Sequence, residues 1–217
     1  MDNNKKYVPD SVDYTLYLCT DRGLMTTGTI EESVELAIQG GVTIVQLREK
    51  DCSSREFYNT AISVKAITDR YNVPLIINDR VDIAMAVDAA GVHVGQSDLP
   101  AEAVRAIIGS DKIVGVSTAT VKEARKAQAD GADYIGVGAM FTTSTKKNTR
   151  GVSMELLADI RAAVNIPMVA IGGINESNAA QFTNTGVNGL AVVSAIIARQ
   201  DIKSAAAELK KIFTTGK

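Results

Sequence analysis

The feature that most restricts this chain is an alternation of short apolar runs with amphipathic stretches, repeated eight times from end to end. The strand candidates are residues 15–20, 43–47, 75–78, 92–95, 113–116, 134–137, 167–170 and 189–193. Nearly all carry apolar residues on both parities, as strands covered on both faces do. Helices are expected between them. Thr29-x-x-Glu32, Ser53-x-x-Glu56 and Thr120-x-x-Glu123 each match a capping box ahead of a run with helical period, such as Val34, Ala37 and Ile38. Glycines in Gln39-Gly40-Gly41-Val42, Ala90-Gly91-Val92, Asp130-Gly131-Ala132 and Thr185-Gly186-Val187 sit where a left-handed C-cap turns the chain back into the next strand. Eight βα units of about 25 residues predict a closed (β/α)8 TIM barrel. A doubly wound sheet usually has five or six strands, and no G-x-G-x-x-G follows the first strand. The whole of 1–217 is expected to form one barrel domain, with a short polar N-terminal extension of about residues 1–12.

Composition narrows the class of ligand. With 217 residues, 46% of them hydrophobic, the chain can bury a full core. A net charge of −2 supplies no field to gather nucleic acid or an anionic membrane, so an anion site must be built locally for a small molecule. Residues 1–10 lack an apolar h-region, and the longest apolar run, 190–198 interrupted by Ser194, is too short to span a bilayer. A cytoplasmic protein is expected. Cys19 and Cys52 have neither metal-ligand nor disulfide-scaffold spacing and are read as reduced, with Cys19 a small buried hydrophobe.

A barrel of this kind places its site at the carboxyl ends of the strands, so polar residues should gather there. Gln46, Arg48 and Lys50 share one parity at the end of the second strand. Buried polar and cationic groups there call for an anionic ligand, unless the strand simply runs out into a solvated loop. Asn78 and Asp79 leave the third strand, Gln96 and Asp98 the fourth, and Ser117 the fifth. Asp79 and Asp98 are hard oxygen ligands suited to Mg2+, although Asp79 also fits the cap of a helix starting near Val81. Gly172-Gly173-Ile174-Asn175 and Val193-Ser194 each lead from a strand into a helix, the usual phosphate site of this fold, or else the glycines only ease a tight turn. The segment 141–150, FTTSTKKNTR, reads as a cationic loop that closes over a phosphorylated ligand or as plain surface. Without interleaved aromatics it is a poor nucleic-acid site. His93, the only histidine, lies inside the fourth strand and is read as a core or hydrogen-bonded residue.

These residues resemble one family. In order, Gln46-Leu47-Arg48-x-Lys50, Ile77-Asn78-Asp79, Gly91-Val92-His93-Val94-Gly95-Gln96-x-Asp98, Gly115-Val116-Ser117, Thr143-x-Thr145-Lys146, Ile171-Gly172-Gly173-Ile174 and Val193-Ser194 are similar to motifs of the thiamine-phosphate synthases. The resemblance implies a Mg2+-dependent transferase on a (β/α)8 barrel that joins a hydroxymethylpyrimidine diphosphate to a thiazole phosphate and releases pyrophosphate. It implies that Gln46, Arg48, Lys50, Asn78 and Lys146 bind the pyrimidine diphosphate, that Ser117 contacts it, and that Asp79 and Asp98 hold the metal. Thr143, Thr145, Gly173, Val193 and Ser194 would bind the thiazole phosphate. Arg48, Lys50, Lys146 and Ser117 would act in catalysis on the leaving group. Two positions depart from the family pattern: Thr142 stands where proline is usual, and Ala119 where many relatives carry histidine. The second departure sets the chain apart from thiazole tautomerases of the same fold, one rival reading, and a catalytically silent phosphate-ligand sensor is the other. An oligomer is compatible with the sequence.

Overall fold

The structure is a computed structural model and describes residues 12–142 and 150–215. The expected N-terminal extension and the centre of the 141–150 loop lie outside the described residues. Eight parallel strands close a barrel in sequence order: β1 (Leu16–Cys19), β2 (Ile44–Leu47), β3 (Leu75–Asn78), β4 (Gly91–Val94), β5 (Ile113–Thr118), β6 (Tyr134–Val137), β7 (Met168–Ile171) and β8 (Gly189–Val192). The closing pair is β1 with β8, in the register Leu16 to Leu190. Each strand lies within about two residues of its expected position.

Strand parity divides the apolar residues into two separate cores. Leu18, Val45, Leu47, Ile77, Val92, Val116, Ile135 and Leu190 point outward and are buried under the helices, each contributing about 1.5–3 kcal/mol of burial. Tyr17, Cys19, Ile44, Ile76, Ile113, Tyr134, Val169 and Ala191 point inward and fill the lumen. The outer layer consists of α1 (Ile30–Gln39), α2 (Ser54–Arg70), α3 (Val81–Ala86), α4 (Ala101–Ile108), α5 (Val121–Ala129), α6 (Met154–Ala163), α7 (Ser194–Ile197) and α8 (Ile202–Thr215). Thr29, Ser53 and Thr120 all cap their helices, and at Ser53 the reciprocal bond from Glu56 completes the box. Glu32 and Glu123 reach one residue further back, to the N–H groups of Gly28 and Ala119.

Two sequence expectations need correction. Gly41, Gly131 and Gly186 adopt the left-handed conformation, but Gly91 does not. Its turn is made by Asp88 at φ 51°, and Gly91 is the first residue of β4. Gly172-Gly173 leads into a single 3-10 turn, Ala179–Phe182, rather than an α-helix. The reason is local: Asn175 and Asn178 both donate side-chain amides to the Gly173 carbonyl, competing with helical bonding.

Gly115 makes room for the largest ring in the lumen, because a Cβ there would lie 2.2 Å from the Tyr134 ring. Gly115→Ala is expected to lower unfolding free energy by about 1–3 kcal/mol through overpacking, measured by urea denaturation. An unchanged midpoint would show that Tyr134 repacks without cost.

Candidate active site at the barrel mouth

The inward parity of the strands opens into one cavity of about 580 Å3 at the carboxyl end of the barrel, a size that suits small ligands. Gln46, Arg48, Lys50, Asn78, Asp79, Asp98, Ser117, Gly173, Val193 and Ser194 all line it. Thr143, Thr145 and Lys146 lie outside the described residues. The parity argument for β2 holds: Leu47 is buried beneath the helices, and the Glu49 carboxylate turns away to a two-pronged contact with Arg22.

Each described arginine or lysine at the mouth is tethered to a carboxylate. Arg48 Nη1 donates to Asp21 Oδ2 at 3.1 Å, and the backbone N–H of Arg48 donates to Thr20 Oγ1 at 3.0 Å. Lys50 pairs with Asp79, and Arg150 with Glu123. These tethers hold the cations toward the cavity while limiting repulsion among them before an anion arrives. The sequence marks neither Asp21 nor Thr20 as a site residue, and it marks Glu123 only as part of a capping box and Arg150 only as the end of the 141–150 loop. Their contacts join segments 27–28 residues apart across neighbouring βα loops, and no local spacing encodes them.

Asp79 does not cap α3. The residue at that cap is Arg80, which makes no side-chain capping bond. Asp79 instead sits at φ 61°, its N–H bonded to the His93 carbonyl at 2.8 Å, and its carboxylate faces Lys50. A non-glycine residue held in this conformation costs about 1–3 kcal/mol and signals a placement fixed by its surroundings. Asp98 lines the same cavity and accepts the Gly95 N–H at 2.7 Å. No cluster of three or more histidine, cysteine or acidic side chains fit for a metal occurs among the described residues. Two carboxylates at neighbouring strand ends nevertheless form a donor set that fits Mg2+, which takes few protein ligands and completes its shell with water and phosphate oxygens.

On the opposite rim, Gly172 and Gly173 adopt φ 102° and 67°. A Cβ on Gly173 would meet the Thr142 carbonyl at 2.7 Å, so the turn needs glycine for conformation and for space. Backbone bonds from Met140 to Ile171 and from Phe141 to Gly172, both 3.0 Å, tie the start of the sixth loop to this turn. Ala119 also lines the cavity and offers no group for proton transfer. Cys19 is buried on the cavity floor, and desolvation pushes its thiol up to about 12, which keeps it inert.

Comparison with known proteins agrees with this geometry. The family model described as thiamine monophosphate synthase matches residues 16–196. Thiamine-phosphate synthase of Clostridium beijerinckii is 63% identical over 202 residues, covering 93% of this chain and 97% of the relative. That of Ruminiclostridium cellulolyticum is 65% identical over 202 residues, covering 93% and 96%. The structure of thiamine phosphate pyrophosphorylase from Pyrococcus furiosus superposes with a TM-score of 0.88 at 40% identity, covering 94% of this chain and 98% of that one. With its barrel, its cavity and nearly its whole length accounted for, the chain belongs to the thiamine monophosphate synthase family.

Proposed function

We propose that the barrel mouth carries out its family's transferase reaction, condensing 4-amino-2-methyl-5-hydroxymethylpyrimidine diphosphate with 4-methyl-5-(2-phosphooxyethyl)thiazole to give thiamine phosphate and pyrophosphate. The observation that carries this reading is the convergence of ten of the residues expected at the site, from six strand ends, on one cavity. Gln46 contacts the pyrimidine. Arg48 and Lys50, with Lys146 from the sixth loop, bind the diphosphate together with Asn78 and Ser117. Gly173, Val193 and Ser194, with Thr143 and Thr145, take the thiazole phosphate.

The chemistry asks for charge stabilisation rather than a base. As pyrophosphate leaves the pyrimidine methylene, negative charge grows on the leaving oxygens, and a pyrimidine cation stabilised by its amino group remains. The thiazole nitrogen attacks with its lone pair, so no proton must be removed to form the bond. Arg48 and Lys50 already stand in place, held by Asp21 and Asp79, and preorganised cations need little rearrangement as the charge develops. Asp79 and Asp98 would hold Mg2+, which supplies Lewis-acid stabilisation of diphosphate oxygens when bound. The lumen below is filled by Tyr17, Ile76 and Val169, so the cavity is closed from beneath.

No helix among the described residues is long and apolar enough to cross a membrane. The cytoplasmic location and the small phosphorylated ligands are the reading of composition and net charge.

Mixing the protein with both precursors and Mg2+ should release pyrophosphate and form thiamine phosphate; no release with either order of addition would rule the transferase out. Chelation should abolish turnover, and added Mg2+ should restore it. Asp79→Asn keeps a side chain that tolerates φ 61° while removing the charge, and is expected to cut kcat by about 10²–10³ with an unchanged melting curve. Lys50→Ala should lose a similar factor. Full activity in either variant contradicts the assigned roles.

A further inference from the structure

The lumen contains a line of polar contacts that its apolar packing does not require. Gln46 Nε2 donates to the Tyr17 hydroxyl at 2.8 Å, and the Tyr17 and Tyr134 hydroxyls are 2.7 Å apart. The Tyr134 hydroxyl is 2.8 Å from His93 Nδ1, and His93 Nε2 is 2.9 Å from Ser117 Oγ. Four hydrogen bonds thus join five side chains of β2, β1, β6, β4 and β5. Its two ends, Gln46 and Ser117, line the cavity.

Counting protons gives the line a direction. An amide nitrogen only donates, so the Tyr17 oxygen accepts from Gln46. The Tyr17 proton then goes to Tyr134, because among the described residues that hydroxyl has no third partner, and an unpaired buried donor costs about 1–3 kcal/mol. Tyr134, having accepted, donates to His93 Nδ1. A ring that accepts at Nδ1 carries its proton on Nε2, and that N–H faces Ser117 Oγ. The opposite tautomer, or a doubly protonated ring, would make Tyr134 donate back to Tyr17 and strand the Tyr17 proton. Burial pushes both phenols well above their ordinary range, so neither is ionised at neutral pH.

We infer that Tyr17, Tyr134 and His93 form a proton-ordered relay that holds His93 as its Nε2–H tautomer. Ser117 is thereby committed as a hydrogen-bond donor to the ligand, and Gln46 keeps its Oε1 as an acceptor. The three are positioning residues. Their use in the reaction rests on the proposed function: the acceptor at Gln46 suits the amino group of the pyrimidine, and the donor at Ser117 suits an oxygen of the departing diphosphate. Recognition of the amino group at one end and stabilisation of the leaving group at the other are then two ends of one ordered chain.

Because His93 is the only histidine, 15N-histidine NMR of the full-length protein reports this one ring. The expected result is the Nε2–H tautomer in the parent protein and a several-fold rise of the Nδ1–H form in Tyr134→Phe, which removes the group that fixes Nδ1. Tyr17→Phe, which preserves shape and leaves Tyr134 in place, should give a smaller shift in the same direction. An Nδ1–H or doubly protonated ring in the parent, or an unchanged ring in Tyr134→Phe, overturns the relay. In turnover, Tyr134→Phe should lower kcat roughly tenfold while KM for the thiazole phosphate stays constant, since the misoriented Ser117 acts only on the leaving group. Parent-level kcat in that variant also counts against it. If the parent protein releases no pyrophosphate, the proposed reaction fails, and the tautomer alone decides the relay.

Discussion

In a closed parallel barrel every strand residue has only two places to go, under the helices or into the lumen, and the whole site depends on that division. One parity supplies hydrocarbon to a continuous layer beneath the helices, as Leu47, Ile77 and Val116 do. The other must fill a space too narrow for water and still end in a polar mouth. The chain meets both demands by grading its inward positions. Ile44, Ile76, Ile113 and Tyr134 lie below the cavity, Tyr17 and His93 reach it, and the charged groups stand at the rim. A one-residue register shift in β2 would put Leu47 into the lumen and Gln46 beneath the helices, so packing energy alone enforces the chemistry of the mouth.

The same grading settles the electrostatics. Charges deep in the lumen would pay a large desolvation penalty, and none is found there among the described residues. Gln46, Tyr17, Tyr134 and His93 are hydrogen-bonded in line within the lumen, whereas the cations stand at the rim beside carboxylate partners. This separates two kinds of recognition. Neutral donors and acceptors with fixed directions lie below, and full charges that can exchange partners lie above.

Much of this was legible in the chain itself. The eight strands, the capped starts at Thr29, Ser53 and Thr120, and the inward parity of Gln46, Arg48 and Lys50 follow from periods of 2 and 3.6 and from local hydrogen-bonding rules. What escaped was non-local or conformational. The pairing of Tyr17 with Tyr134 spans 117 residues and exists only because the barrel closes. The tether of Arg48 by Asp21 joins two loops whose lengths give no hint of it. Asp79, read as a metal ligand, also fits a helix cap in the sequence because Asn-Asp before an apolar run is a common start, but its left-handed backbone aims the carboxylate away from that cap. At Gly91 the sequence offered a plausible turn residue, while strand packing against Ile113 was the stronger demand.

The backbone at Asp79 also bears on how the site can evolve. Two unrelated filters meet at this one residue: the main chain accepts few side chains at φ 61°, and the proposed chemistry asks for a hard negative charge. Asparagine passes the first filter and fails the second. Glutamate passes the second and is poorly suited to the first. Drift toward either neighbour is therefore closed off, so the position should stay fixed while the mouth around it diversifies. A barrel of this lineage that has lost aspartate here would have left this reaction behind, whatever the rest of its rim still resembles.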